Sequence, residues 1–220
     1  MRTFAEIAAI AAARKGSLDT VLAGASTPRP DAELAAIPDD RWLAQMAKGI
    51  FQAGISWSVV EAKWPGIEEA LHGFDPGRVS MIEGDAFDAL LSDPRVIRSG
   101  AKIAAIRDNA ATLRAQPGMG RRVADWPATD FAGLIGWLFR DFSRLGGTTG
   151  QYLMRFMGKE SFILSRDVVA RLREEGVIDG PATSARALQK VQAAFTAWRA
   201  ESGLTLNQIG RVLAQSIDAG

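Results

Sequence analysis

The segment GIFQAGISWSVVEAKW, residues 49–64, contains two helical patterns that are separated by a short turn. Before the turn, apolar side chains recur every three to four positions, which predicts an amphipathic helix with Asp39 or Asp40 as its N-cap. The apolar stripe of this helix consists of Trp42, Leu43, Met46, Ala47, Ile50 and Phe51.

The turn in this segment has an unusual composition. After the break at Gly54, Ser56 is placed to cap a second helix that runs towards Pro65. The turn also carries Ile55 and Trp57, two large apolar side chains at a helix junction where polar residues would suffice. These two side chains therefore need an explanation.

The same helical periodicity continues along the chain, and no strand alternation is present. The sequence predicts an all-α protein with about ten short helices. Outside the opening segment, helices are predicted at about residues 3–14, 99–116, 129–142, 151–158, 183–200 and 205–217, with two short ones over 74–93 that are capped by Asp75 and Asp85. Residues 24–40 are rich in Pro, Ser and Asp, which predicts a connection.

Composition limits the classes of function. The chain has 220 residues, of which 47% are hydrophobic, enough for one core or for two small lobes around a cleft. It has no cysteine, which excludes disulfides and thiolate zinc sites, and a single histidine, His72, which excludes a multi-histidine metal site. We therefore expect no metal and no cofactor. The net charge of +1 means that any nucleic-acid surface must be a local patch.

The chain also carries no pattern typical of a membrane protein. No run approaches the roughly 20 apolar residues that span a bilayer. The N-terminal FAEIAAIAAA contains Glu6 and leads into Arg14 and Lys15, which indicates a soluble helix rather than a signal peptide. We expect a cytoplasmic protein that binds no membrane.

Residues 129–158, TDFAGLIGWLFRDFSRLGGTTGQYLMRFMG, predict two helices joined by a glycine turn. A glycine-rich turn that enters a helix exposes backbone N–H groups at the positive end of the helix dipole, which suits a DNA phosphate. The candidate phosphate contacts are Gly146, Gly147, Thr148, Thr149 and Gly150, together with Lys102 from the basic stretch upstream. The alternative is an ordinary corner between two packed helices, with the basic residues on a solvated face.

Three ordered blocks resemble the DNA-3-methyladenine glycosylase I family of the helix–hairpin–helix superfamily. They are QAGISW at 52–57, FDPGRV at 74–79 and IRSGAKIAAIRDNA at 97–110. The later LGGTTGQYLM is similar to the hairpin element of that family, with Gly147 in place of a proline. The resemblance covers about residues 42–169.

The resemblance implies a two-lobed, all-α helix–hairpin–helix glycosylase fold with DNA and base bound in the cleft. We expect one domain over 1–220, with the helix–hairpin–helix at about 129–158 and an added C-terminal helical extension at about 183–219. The implied function is that of a monomeric, monofunctional DNA glycosylase of base excision repair. It would flip alkylated purines such as 3-methyladenine out of double-stranded DNA and release them by hydrolysis.

The resemblance also assigns roles to the turn. Trp57 lies where the flipped base stacks, with Ser56 and Gly49 in the base site, and Ile55 lies where an apolar wedge enters the DNA gap, with Gln52 and Gly54 beside it. These roles agree with physical chemistry, because an apolar side chain can fill the space left by a flipped base. A tryptophan face attracts the positive charge of an N-alkylated purine.

The sequence departs from the family pattern in three ways. The zinc ligands that many members carry near both ends are missing, the N-terminal motif that supplies a pocket tyrosine has no counterpart, and the pocket glutamate falls at Gly49. Asp167, in SFILSRDVVARL, lies close to the position of an essential aspartate in other superfamily members, and we assign it as the catalytic carboxylate. Alternatively, Asp167 caps a helix over 168–173 and pairs with Arg171.

Two functions therefore stay open at this point. The first is a glycosylase for alkylated purines, and the second is a non-catalytic DNA-binding or lesion-sensing relative, which the missing glutamate and tyrosines favour. A bifunctional lyase would need a lysine nucleophile near the pocket. The hairpin helix offers none, which leaves Lys48 and Lys102 as formal candidates.

Overall fold

The computed structural model describes residues 1–218, and these form fourteen α-helices and two 3₁₀ turns without a strand. This confirms the all-α fold predicted from the periodicity. The helices are α1 (Phe4–Lys15), α2 (Leu18–Leu22), α3 (Asp31–Ala35), α4 (Asp39–Gln52), α5 (Trp57–Ala70), α6 (Pro76–Val79), α7 (Gly84–Ser92), α8 (Gly100–Ala115), α9 (Met119–Asp125), α10 (Phe131–Asp141), α11 (Thr148–Met157), α12 (Arg166–Glu174), α13 (Ala185–Ser202) and α14 (Leu206–Gln215). The 3₁₀ turns cover His72–Phe74 and Ala128–Asp130. The last residue of the predicted extension, residue 219, lies outside the described part of the chain.

The helices are divided between two compact units. One unit, which we call the pocket unit, consists of Pro30–Asp125 and Trp137–Met157. The other, which we call the terminal unit, consists of Met1–Arg29, Trp126–Gly136 and the chain from Gly158 onwards.

The terminal unit is built on helices from both ends of the chain. Helix α1 packs against α2, α13 and α14, and α14 packs in turn against α12. Thr3 and Thr205 begin α1 and α14 with reciprocal capping boxes, each of which satisfies backbone N–H groups at a helix start. The aromatic rings of Phe131, Phe162 and Phe195 are in successive contact in its core, with centroids 4.8 Å and 4.6 Å apart.

A buried ion cluster also stabilises the terminal unit. Arg171 of α12 donates to the side chain and the carbonyl of Ser216, at 2.8 Å and 2.5 Å, and forms ion pairs with Glu174 and Glu175. Glu175 is buried and also accepts hydrogen bonds from the backbone and the guanidinium of Arg2. The cluster therefore joins the N-terminal segment to α12 and to the end of α14.

The pocket unit is organised around α4. This helix packs against α5, α8, α9 and α11, and all six residues of the predicted apolar stripe are buried, which confirms that part of the prediction. The block at 74–79 also behaves as predicted, since the Asp75 carboxylate accepts from the backbone N–H of Arg78 at 2.8 Å and caps α6.

The predicted N-caps of two helices were wrong, and in α4 the side chain bonds elsewhere. Helix α4 begins at Asp39 after Pro38, and the Asp39 carboxylate accepts instead from the backbone N–H groups of Gly118 and Met119 at the start of α9, each at 2.9 Å. Helix α7 is preceded by Glu83, one residue before Gly84, rather than by Asp85.

The short helices α3 and α9 and the full length of α5 were not predicted from the sequence. The predicted connection over 24–40 contains α3, which packs against α9, a helix that the sequence analysis did not predict. A side chain at Gly120 would meet carbonyl oxygens of that region, with the closest, of Ile37, at 2.7 Å from the added Cβ, so glycine permits this contact. Helix α5 continues through Pro65 to Ala70.

One buried side chain fixes the connection between α10 and α11. Asn109 of α8 is fully buried, and its side-chain amide donates to the carbonyl of Ser143 at 3.0 Å and accepts from its N–H at 2.6 Å. Thr112, one turn later, donates a longer bond of 3.4 Å to the carbonyl of Asp141. Helix α8 therefore holds the backbone of the connection from one side.

We predict that Asn109→Ala destabilises the protein by about 1–3 kcal/mol, because it leaves two backbone groups of Ser143 without their partner. Urea unfolding followed by circular dichroism measures this change. Thr112→Val, which removes the long bond to Asp141 and a 3.2 Å bond to the carbonyl of Asp108 within α8, is the matched control and should cost less. An unfolding free energy of Asn109→Ala equal to that of the wild type would contradict the role of this clamp.

We predict a pH-dependent effect of Arg2 on stability. Burial raises the pKa of the Glu175 carboxyl, but the hydrogen bonds from the backbone and the guanidinium of Arg2 outweigh it, and the pKa lies below its ordinary value. Such a carboxylate stabilises the fold above its unfolded-state pKa of about 4.3, and the contribution is lost as the pH falls through the folded-state pKa. Arg2→Ala should therefore destabilise the protein at neutral pH and have a smaller effect in acid.

Urea unfolding at neutral pH and in acid measures the stability of Arg2→Ala and of a control variant relative to the wild type. Arg14→Ala is the control, because the ion pair of Arg14 with Asp218 is long, at 3.9 Å, and exposed. A loss of stability in Arg2→Ala that is the same at both pH values would refute the electrostatic account.

Candidate functional site

Lys102 of α8 fixes the turn between α4 and α5 through hydrogen bonds to its backbone. Ala53 is the C-cap of α4, Gly54 has a φ of +77°, and the N–H of Ile55 donates to the carbonyl of Gln52 at 3.3 Å. The ammonium of Lys102 donates to the carbonyls of Phe51 and Ala53, at 2.9 Å and 2.7 Å. These contacts occupy carbonyls that the end of a helix leaves without an intrahelical partner, and they fix the shape of the turn.

Trp57, the first residue of α5, lies beside two aromatic residues of α11. The Trp57 side chain is 50% exposed, and its ring lies edge-to-face with Tyr152 and Phe156, at centroid distances of 6.1 Å and 6.0 Å. Tyr152 and Phe156 are stacked on each other at 5.7 Å with an interplanar angle of 24°. Three aromatic rings are thus brought together at one partly exposed place, whereas large aromatic residues usually have most of their surface buried.

These rings line a cavity of about 200 Å³ in the pocket unit. Its walls come from the end of α4, the start of α5 and one face of α11. The lining residues are Gln45, Met46, Gly49, Gln52, Ala53, Trp57, Leu145, Thr148, Thr149, Tyr152, Leu153 and Phe156. The cavity is smaller than the range of about 300–1,000 Å³ typical of drug-sized ligands, so it suits a single small ring system.

Gly49 lies where α4 and α11 approach each other. A Cβ added to Gly49 would lie 3.4 Å from the Cγ2 atom of Thr149, and among residues 1–218 it would meet no other atom within 4 Å apart from its chain neighbours and the backbone of α4. The position therefore has room for a side chain that extends from α4 into the cavity.

The turn before α11 has the close approach that its glycines predict. Gly147 has a φ of +60°, and a Cβ at Gly150 would lie 2.4 Å from the carbonyl oxygen of Leu145. Helix α11 begins at Thr148, so Thr148 and Thr149 both lie in its first turn and both line the cavity. The first turn of α11, whose N–H groups have no partner within the helix, is therefore adjacent to the cavity.

Two basic residues, Lys102 and Arg144, lie close together near the two turns, and a third, Arg155, lies in the last turn of α11. Burial lowers the pKa of Lys102, and the nearby charge of Arg144 lowers it further. Arg144 is exposed and adopts a φ of +59° in the connection before α11. On α11 itself, burial lowers the pKa of Arg155 to about 10, so this guanidinium is still protonated at neutral pH.

The other predicted site residues have other contacts. The hydroxyl of Ser56 lies 2.8 Å from that of Ser58 and makes no capping bond to α5. Lys48 forms a 2.8 Å ion pair with Glu61 and lies over the ring of Trp64 at 4.8 Å. Neither Lys48 nor Lys102 is among the residues that line the cavity.

Asp167 belongs to the terminal unit, in the first turn of α12. The N-cap of this helix is Ser165, whose hydroxyl accepts from the N–H of Val168, so the alternative that Asp167 is the cap is wrong. A carboxylate in the first turn is still favoured by the helix dipole.

Sequence reasoning missed Tyr152, Phe156 and Arg144. Tyr152 and Phe156 are four residues apart and therefore share one face of α11, which is not the face of its buried residues Leu153, Met154 and Met157. Helix α11 has more large apolar residues than one buried face needs, and this excess was the feature of the sequence that could have revealed the two rings. Arg144 could have been found from its position directly before the glycine turn.

The described residues offer no site for zinc. Residues 1–218 contain no group of three or more His, Cys, Asp or Glu side chains that could hold a metal ion, and the whole chain has no cysteine and one histidine. The residues present do not fit the zinc site of the family that the sequence resembles. Within the same range, no helix is both long enough and apolar enough to cross a membrane.

Comparison with known proteins gives two findings. Residues 36–126 match the family model of the methyladenine glycosylases. A DNA-3-methyladenine glycosylase of Haemophilus influenzae is 35% identical over 75 residues, which cover 34% of this chain and 40% of that protein. The match thus spans less than half the length of this curated relative. No solved structure matches the chain significantly.

The matched segment coincides with much of the site. It contains α4, the turn with Ile55, Trp57 and the helix α8 with Lys102 and Asn109, whereas Tyr152 and Phe156 lie beyond it. Residues 36–126, less than half of the chain, are therefore similar to the methyladenine glycosylase family.

Proposed function

We propose that this protein is a monofunctional DNA glycosylase that binds double-stranded DNA, flips out an alkylated purine such as 3-methyladenine and hydrolyses its N-glycosidic bond. The observation that carries the proposal is the cavity lined by Trp57, Tyr152 and Phe156. It lies in one compact unit with the turn that carries Ile55 and with the start of α11. The similarity of residues 36–126 to the methyladenine glycosylase family supports this activity.

A glycosylase must first move its base out of the helical stack. Flipping costs a few kcal/mol, and an apolar side chain that fills the gap offsets part of this cost. Ile55, in a turn that Lys102 fixes through two backbone carbonyls, is our candidate for this wedge, with Gln52 and Gly54 as its neighbours. A rigid turn loses less entropy when it inserts than a mobile one would.

The DNA backbone is proposed to bind at the start of α11. The N–H groups of the segment from Gly146 to Gly150 and the helix dipole suit a phosphate. Arg144 and Lys102 add positive charge nearby. Two of the three ammonium protons of Lys102 are used by carbonyls, which leaves one for a phosphate oxygen.

The reaction balances without a strong acid. N3-alkylation gives adenine a positive charge, so when the bond from C1′ to N9 breaks, its electron pair stays on N9 and the base leaves neutral. The oxygen of water forms the new bond to C1′, and the water loses a proton. A flat aromatic pocket that holds the cationic base in place contributes to the rate through orientation.

Asp167 is our proposed acceptor of that proton and stabiliser of the positively charged sugar. The support for this role is its position shortly after α11, at the start of α12. A lesion-sensing protein without catalysis is the second candidate, because no carboxylate is among the residues that line the cavity. The two candidates differ in whether a free base is released.

We predict that wild-type protein releases 3-methyladenine from N-methylated duplex DNA. Trp57→Ala should lower the single-turnover rate by about 5- to 150-fold, which corresponds to the roughly 1–3 kcal/mol of one base–aromatic stack. Asp167→Asn should lower it by about 100-fold or more, as expected for a lost general base. Chromatography of the released bases measures all three rates.

Val59→Ala, which changes another exposed apolar residue of α5, is the control and should retain the wild-type rate. Full activity of Asp167→Asn would remove that residue from the mechanism and leave the enzyme. DNA binding without release of any base would favour the lesion-sensing candidate.

We predict that Gly49→Glu makes the protein more selective for 3-methyladenine. The added Cβ meets only Thr149 at 3.4 Å, so the carboxylate can enter the cavity and accept hydrogen bonds from the amino group of adenine. The fold should be preserved, because glutamate favours a helix interior by up to about 1 kcal/mol over glycine.

Gly49→Gln is the matched control, since it has the same size without the charge. The ratio of 3-methyladenine to 7-methylguanine release should rise more in Gly49→Glu than in Gly49→Gln. Equal ratios in the two variants would show that the carboxylate does not contact the base.

A further inference from the structure

The three rings of the cavity form two walls, of which one consists of Tyr152 and Phe156 and the other of Trp57. Tyr152 and Phe156 are nearly parallel, and the ring of Trp57 stands at 87° to the first and 72° to the second. A planar base that lies parallel to one wall must therefore direct its rim towards the other. Such a base contacts aromatic rings from two directions.

The side chains that line the cavity carry no formal charge at neutral pH. Their polar groups are the amides of Gln45 and Gln52 and the hydroxyls of Thr148, Thr149 and Tyr152. Each of these groups can donate as well as accept a hydrogen bond. They can therefore pair with the rim of adenine or of guanine, whereas a fixed carboxylate can only accept.

Aromatic rings distinguish bases by charge instead. The face of a ring attracts a cation, and the attraction is strongest in a site that excludes water. N3-alkyladenine and N7-alkylguanine are both positively charged in DNA, whereas unmodified purines are neutral. The two walls therefore favour the positive charge that both alkylated purines carry.

From this geometry we propose that Tyr152 and Phe156 are specificity-determining residues, and that the cavity accepts cationic N-alkylpurines as a class, N7-methylguanine as well as N3-methyladenine. The proposal rests on the proposed glycosylase function. It assigns the role of the missing pocket carboxylate at Gly49 to an aromatic wall from α11. The wall selects the positive charge of the base and not its identity.

The test measures base release from one N-methylated duplex DNA, which contains both methylated purines. For each base, the rate is divided by the spontaneous rate in the same DNA, because the two glycosidic bonds differ in intrinsic stability. For the wild type, the two accelerations should agree within about tenfold, the lower end of the roughly 10- to 200-fold range by which an apolar pocket separates similar ligands. A duplex with deoxyinosine, whose base hypoxanthine is neutral, should give no acceleration.

Variants of the wall test the residues themselves. Tyr152→Leu and Phe156→Leu should each lower both accelerations by roughly three- to tenfold and in the same proportion. Phe156→Tyr keeps a ring and should retain more activity than Phe156→Leu, which separates loss of the ring from loss of the fold. Phe87→Leu, on α7 and away from the cavity, is the matched control and should behave as the wild type.

Each outcome has a distinct meaning. Release of 3-methyladenine without 7-methylguanine would overturn the inference and leave the proposed function intact. Comparable release of hypoxanthine would show that charge is not the selected property, and wild-type rates in both leucine variants would show that the wall does not select. Release of no base at all would refute the proposed function and the inference with it.

Discussion

Two side chains of α8 hold the backbone on which the candidate site depends. Lys102 binds the carbonyls at the end of α4, and Asn109 binds both backbone groups of Ser143 before α11. They are seven residues apart, which places them on one face of the helix, two turns from each other. The turn with Ile55 and the turn before α11 are therefore fixed by the same rigid element. This explains physically why the sequence block at 97–110 contains a lysine and an asparagine among its apolar positions.

The parts of the fold that local sequence determines were predictable, and the parts that distant contacts determine were not. The stripe on α4 predicted its buried face because helical periodicity depends only on neighbouring residues. The Asp39 carboxylate was wrongly assigned to its own helix, because its partners, the N–H groups of Gly118 and Met119, are far away in sequence. The sequence shows that a carboxylate can accept a hydrogen bond from a backbone N–H group, but it does not show which N–H group lies near it in the fold.

The site was predictable to a similar extent. The turn residues, including Trp57, were predicted as site residues from three ordered blocks, and Trp57 lines the cavity together with Gly49 and Gln52. Tyr152 and Phe156 were missed because a pair of aromatic residues four apart is as typical of a buried helix face as of a binding surface. Only the packing of α11 against α4 shows that Phe156 is 46% exposed and that both rings face Trp57.

The absence of a carboxylate from the residues that line the cavity has a consequence for the proposed reaction. A glutamate beside a cationic base neutralises it and thereby stabilises the bound ground state, in which the charge is still present. Aromatic rings attract the same cation more weakly, and the attraction fades as the departing base becomes neutral. Only interactions that are stronger in the transition state than in the bound state accelerate the chemical step. In the proposed reaction, a pocket built from rings therefore gives up some affinity for the lesion but holds back the leaving base less than a carboxylate would.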